Sequence, residues 1–148
     1  ARTSLAAAFL GCQGCKIRKR GGGEWVAEGN MSEAALKVAS MKGHLREDSE
    51  AGMQLLSDHL REPKLEVPFT SKRKMSATVH RMTSGRSLAA LNFGEEHTHF
   101  AILKGAPDRI LPSIQAVLSL GAASSGGLEV AEAGITSEEK LLIEEENQ

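Results

Sequence analysis

The chain has 148 residues, 41% of them hydrophobic and 25% charged, so it can bury one core and is no disordered tail. Its 18 Lys and Arg against 19 Asp and Glu leave a net charge of −1, which argues against a basic nucleic-acid binder, and 3% aromatics are too few for a base-stacking surface. The longest apolar run, Leu5–Leu10, falls far short of the ~20 residues of a membrane span and lacks the basic flank of a signal peptide. An initial Ala suggests a piece of a longer protein, and two cysteines, Cys12 and Cys15, suggest a reducing compartment rather than a disulfide framework.

In chain order, residues 3–12 are expected as a short helix with Leu5, Ala8 and Phe9 on one side. The basic run Lys16–Arg20 and the breaker Gly21–Gly23 read as an exposed turn, and Glu24–Ala27 as a short strand. Asn30 stands three residues before Glu33, the spacing of a capping box, and predicts a helix over Ser32–Lys42 stopped by Gly43. Its expected stripe is Leu36, Ala39 and Gly43, with Ala35 and Val38 beside it. A second helix is expected over Asp48–Arg61, with Met53, Leu56 and Leu60 inward and Pro63 just beyond.

Lys64–Val67, Met75–His80 and Thr98–Leu103 read as strands of an antiparallel sheet, separated by a turn-rich excursion over residues 83–96. Pro107 fits the first turn of a helix whose stripe of Ile110, Leu111, Ile114, Val117 and Leu118 runs to about Leu120. Gly121–Gly127 reads as a linker. Thr136 and Glu139 form a further capping box before Leu141, Leu142 and Ile143. The expected fold class is α+β, an antiparallel sheet flanked by helices, in one domain over residues 1–148.

Two clusters suggest metal or redox chemistry and are read as structural instead. Cys12-Gln13-Gly14-Cys15 has the spacing, but no second pair completes the ~four ligands of a zinc site. Glu95, Glu96, His97 and His99 suit a metal-dependent hydrolase, against the simpler solvated hairpin end. No phosphate loop, dinucleotide fingerprint or nucleophile elbow is present.

Three segments together are more informative. Gly29-Asn30-Met31-Ser32-Glu33 puts a carboxylate in the first turn of a helix. Pro68-Phe69-Thr70-Ser71-Lys72-Arg73-Lys74-Met75 puts a ring just before three cations. Lys104-Gly105-Ala106-Pro107-Asp108 puts a lysine at a strand end beside a glycine that permits close approach. A ring that stacks on adenine, a carboxylate for its amino group and lysines for phosphate suit a purine nucleotide. Singly, each has a plainer reading: Glu33 as a cap, Phe69 as core, Lys72–Lys74 as a solvated strand start.

In order and spacing, the three segments resemble the nucleotide-binding domain of P-type cation-transporting ATPases, and the local style of "VPFTSKRK" and "ATVHR" looks most like the calcium-pump branch. The resemblance covers roughly Trp25–Leu111. Ser32 stands for the family's Thr, Asp108 for its Glu, and Met75 lies one position early. It implies that Glu33 faces adenine, Phe69 stacks on it, Lys74 lies near the phosphates or ring edge, and Lys104 and Gly105 line the pocket floor. It also implies ATP as substrate, with magnesium in the full-length pump, and a place on the cytoplasmic side of a membrane. The implied partners are a phosphorylation domain and an actuator domain. The family's phosphorylated aspartate segment is absent from the chain, so the chain alone is expected to bind ATP without hydrolysing it. The competing reading is a non-catalytic protein-interaction module with Lys16–Arg20 as a basic docking loop.

Overall fold

Small side chains decide how the first part of the chain packs. The computed structural model describes residues 2–12, 14–83, 97–122 and 128–145. Helix α1 (Arg2–Gly11) buries Ala6, Phe9 and Leu10, spaced i, i+3, i+4, and lies against α2 (Met31–Lys42). The buried residues of α2 are Ala34, Lys37 and Ser40, not the expected Leu36–Ala39–Gly43 stripe; Leu36 and Val38 are exposed. Close approach is the reason. A Cβ on Gly43 would meet Leu5 Cδ1 at 2.5 Å, and Ser40 Oγ reaches the Leu5 carbonyl at 3.1 Å as well as that of Leu36 at 3.0 Å. The buried hydroxyl is therefore satisfied.

The basic run is a strand rather than an exposed turn. Strand β1 (Lys16–Lys19) pairs antiparallel with β2 (Trp25–Glu28), Lys16 opposite Glu28 and Lys19 opposite Trp25. The tight turn between them uses Gly23 at φ +85°, a conformation that favours glycine. Helix α3 (Glu50–Asp58) is capped by Ser49 and ends earlier than expected, because His59–Arg61 leaves it as strand β3. Gly52 is the buried residue of α3, pressed on the Arg46 carbonyl where no side chain fits, while Met53 points out. Pro63–Leu65 is a 3-10 turn, so the strand expected over Lys64–Val67 shrinks to one bridge between Val67 and Ala77.

β3 joins β4 (Met75–Met82) and β5 (His99–Gly105) in the order β3-β4-β5. The bonds Met82 N to Thr98 O (2.9 Å) and Ala106 N to Lys74 O (3.0 Å) make β4 and β5 antiparallel. Residues 84–96, most of the expected excursion, lie outside the described residues.

The chain divides into two compact units, Ala1–Glu66 with Thr78–Ile102, and Val67–Ala77 with Leu103–Gln148. The first holds a core of Ala6, Phe9, Leu10, Leu45 and Phe100, with Leu5, Leu55, Leu56, Met82 and Ile102 packed on it. The second holds α4 (Pro107–Ile110), a 3-10 turn over Leu111–Ser113, β6 (Ala116–Ala122), β7 (Leu128–Gly134) and α5 (Ser137–Glu145). The long helix expected from Pro107 to Leu120 is thus one turn followed by a strand. Pro112 has no N–H to continue the helix, and Ile114 is already extended at ψ 128°. β6 pairs antiparallel with β7 from Ala116–Gly134 to Ala122–Leu128, taking in two residues of the expected linker; residues 123–127 lie outside the description. The Thr136 box forms as expected: Thr136 N donates to Glu139 Oε2 at 2.8 Å, and Glu139 N to Thr136 Oγ1 at 3.2 Å. The architecture is α+β, helices with small antiparallel sheets.

Candidate functional site

Four of the five residues singled out from sequence fall in the second unit, on two segments whose backbones touch. Residues 71–73 make a turn in which Lys74 N donates to Thr70 O at 2.7 Å, Arg73 N to Thr70 Oγ1 at 3.1 Å, and the Arg73 guanidinium to Pro68 O at 2.6 Å. Lys74 closes the turn at φ +54°, a left-handed conformation that costs a side-chain-bearing residue about 1–2 kcal/mol. The Lys104–Asp108 segment lies directly against it. A Cβ on Gly105 would stand 2.5 Å from Met75 Cβ and 2.6 Å from Lys74 O, so only glycine lets the two strands meet here.

Lys74 Nζ lies 4.0 Å from Asp108 Oδ2, which Arg109 Nε also approaches at 3.4 Å. All three side chains are about half exposed, so these pairs hold little energy and leave the cations free to reorient. Phe69 is 62% exposed, a ring left out of the core. Along β5, Phe100 is buried and Ile102 and Lys104 are half-buried, while His99, Ala101 and Leu103 are exposed. Phe100, Ile102 and Lys104 therefore share the inner face, as the sequence alternation predicts.

Glu33 belongs to the first unit. Asn30 Oδ1 accepts from Ser32 N at 2.9 Å and Glu33 N at 3.2 Å, the cap read from the sequence. The Glu33 carboxylate turns toward Gly14, where an added Cβ would stand 2.9 Å from Oε2. Gly29, at φ +101°, packs on the Gly14 carbonyl, and Lys37 Nζ donates to Cys15 O at 3.1 Å. Cys12 and Cys15 are both fully buried and not joined in a disulfide, with Cys15 Sγ 3.6 Å from the Cys12 carbonyl. The cysteine pair thus sits in the turn that seats the start of α2.

Of the acidic–histidine cluster, Glu95 and Glu96 lie outside the described residues; His97 and His99 are exposed, and His99 Nδ1 is 2.9 Å from Thr98 Oγ1. No group of three or more metal-ligating side chains occurs among the described residues.

The sequence reading missed a histidine pair in the first unit. His80 stacks on Phe100 (centroids 5.4 Å apart, 18°) and His59 meets the same ring edge-on (5.5 Å, 79°). His59 Nδ1 bonds the Leu55 carbonyl at 2.9 Å and His80 Nε2 lies 3.3 Å from Thr78 Oγ1, while His59 Nε2 is buried with no partner among the described residues. Burial lowers the His80 pKa, as does the Arg61 charge; the His59 backbone and Glu66 oppose them. Arg73 was read only as one of three cations after Phe69; its bond to Pro68, which closes the Phe69 turn, was not, because five-residue spacing from a proline to an arginine is too common to flag it.

Residues 2–126 match the family model of the P-type ATPase, cytoplasmic domain N. The chain belongs to that family. The match runs from α1 to just beyond β6 and contains all five candidate residues. This N domain is 36% identical over 133 residues to "P-type sodium-transporting ATPase4" of Toxoplasma gondii (strain ATCC 50861 / VEG), over 83% of the chain and 10% of that protein. It is 35% identical over 92 residues to the protein of the same name in Plasmodium falciparum (isolate 3D7), over 60% of the chain and 7% of that protein. The chain therefore spans a tenth or less of the length of these relatives. Among the described residues, no helix is long and apolar enough to cross a membrane.

Proposed function

We propose that this N domain binds ATP on the Phe69–Met75 and Lys104–Asp108 segments and, in its parent pump, presents the terminal phosphate to an aspartate on a separate phosphorylation domain. The observation that carries the reading is the placement of Phe69. In a chain with only four Phe, one Trp and no Tyr, a ring 62% exposed on a tightly bonded turn is not core, and exposed aromatic surface is what adenine stacking needs. On the second segment, Gly105 removes the side chain that would hold it off Lys74 and Met75. Lys74 and Lys104 supply positive charge on the same segments. An actuator domain and magnesium join in the intact pump, on the cytoplasmic side of its membrane.

Holding the adenine end fixed is positioning work, which lowers the entropic part of the barrier to phosphoryl transfer. The chain carries no phosphate acceptor of its own and turns nothing over alone. The transported ion follows the relatives: both carry sodium in their names, and we assign sodium rather than calcium to the parent. The calcium-like style lies in segments that touch nucleotide, and such segments hold no ion ligand.

An NMR titration with ATP tests the site. Saturable shifts are expected around Phe69, Lys74 and Lys104, with Kd roughly 0.1 to several mM. Phe69→Ala loses stacking worth about 1–3 kcal/mol, or about 5- to 150-fold in Kd. Lys104→Ala also weakens binding. A folded chain with no shifts at ~10 mM ATP returns the segments to a purely structural role and favours the interaction-module reading. For the ion, ATP hydrolysis by the full-length parent should rise with sodium and not with calcium.

A further inference from the structure

The first unit contains a cavity of about 330 Å³ that uses none of the nucleotide residues. Its wall is the face of the β1–β2 hairpin that carries Ile17, Lys19 and Trp25; its floor is α2 with Lys37 and Met41, and its rim is the Arg46–Asp48 loop. The volume lies at the small end of the range for ligand pockets and suits a single ring.

The charges lining the cavity narrow the ligand. Lys37 is almost wholly buried, and its ammonium is committed to Glu47 at 2.5 Å and the Cys15 carbonyl at 3.1 Å. Arg46 grips Asp48 with two bonds, 2.8 and 2.6 Å. Both pairs are neutral overall. Lys19 remains: no carboxylate among the described residues pairs with it, and its ammonium lies 6.0 Å from the centroid of the Trp25 ring. Trp25 itself is 51% exposed, a large apolar face beside one uncompensated positive charge.

We propose that this cavity is a binding site for a small aromatic monoanion, such as an aryl carboxylate. The ring lies against Trp25, Ile17 and Met41, and the anionic group meets Lys19. A neutral ring would strip water from Lys19 with no compensating partner. A cation would be repelled by it. A nucleoside triphosphate brings several negative charges to a site with one available cation, flanked by Glu47 and Asp48.

Trp25 is the sole tryptophan, so its indole N–H is a single NMR resonance that reports on this cavity alone. The labelled chain is titrated with benzoate, with its neutral counterpart benzamide, and with benzylamine. Benzoate is expected to shift the indole resonance saturably with Kd in roughly the millimolar range, at least fivefold tighter than benzamide, and benzylamine not to bind. Lys19→Gln removes the preference for benzoate and Lys19→Arg keeps it. Lys16→Gln, on the opposite face of the same strand, also keeps it. Equal binding of benzoate and benzamide overturns the proposal. So does the absence of a saturable indole shift at ~20 mM benzoate, or an equal loss from Lys16→Gln and Lys19→Gln.

Discussion

Gly105 and His80 show how single residues set the behaviour of each unit. Gly105 has no room for a methyl group, because Met75 and the Lys74 carbonyl fill the space it would take. Gly105→Ala must push backbone apart, and we expect it to cost about 1–3 kcal/mol in urea unfolding and to weaken ATP binding with it. Unchanged stability would mean that the two segments do not lie this close. His80 is buried beside Phe100 with its pKa held below the ordinary histidine value of 6.5, chiefly by burial. The neutral form is the one the fold favours. Its contribution is therefore complete above about pH 6.5 and is lost as the pH falls from there through the lowered folded value. The urea midpoint should drop between about pH 7 and pH 5, and His80→Gln should flatten that drop. A wild-type midpoint that stays level over this range would show that His80 takes up its proton without loss of packing.

At the scale of elements, what the sequence made legible depended on whether local chemistry or packing decides. Caps are local, and Asn30, Ser49 and Thr136 all accept backbone N–H groups at helix starts. Asn30→Ala should cost about 1 kcal/mol by denaturation and displace Glu33 with it. No change in either would mean that water replaces the cap without loss. The buried face of α2 was not legible, because two of its three residues, Lys37 and Ser40, are polar and are satisfied by partners distant in sequence. The strand in Lys16–Lys19 was hidden by its charge. The Ile110–Leu118 stripe misled in the opposite way: the spacing is helical, but Pro112 interrupts the helix and the residues from Ala116 onward pair with β7. The three segments read together from the sequence stand apart from the elements around them. They are short and chemically marked, and two of the three meet through Gly105 and Lys74. The left-handed turn at Lys74 carried no sequence sign, since lysine has no preference for it.

At the scale of the whole molecule, burial is uneven. The first unit packs Ala6, Phe9, Leu10, Leu45 and Phe100 into one cluster, whereas Leu111 and Ala77 are the buried hydrophobic residues among those described in the second, and α5 leaves Leu141 and Leu142 exposed. Native-state hydrogen exchange should show the amides of α1 opening only near the global unfolding free energy, and those of α5 opening well below it. Equal protection of both would contradict this division. The two cysteines turn the same unevenness into a clock. Cys12 and Cys15 are the only thiols in the chain and neither reaches solvent, so an alkylating reagent modifies them only in molecules whose first unit has opened. Mass spectrometry of a timed alkylation would therefore count openings of that unit in a mixture, or inside a cell, without any label being built into the protein.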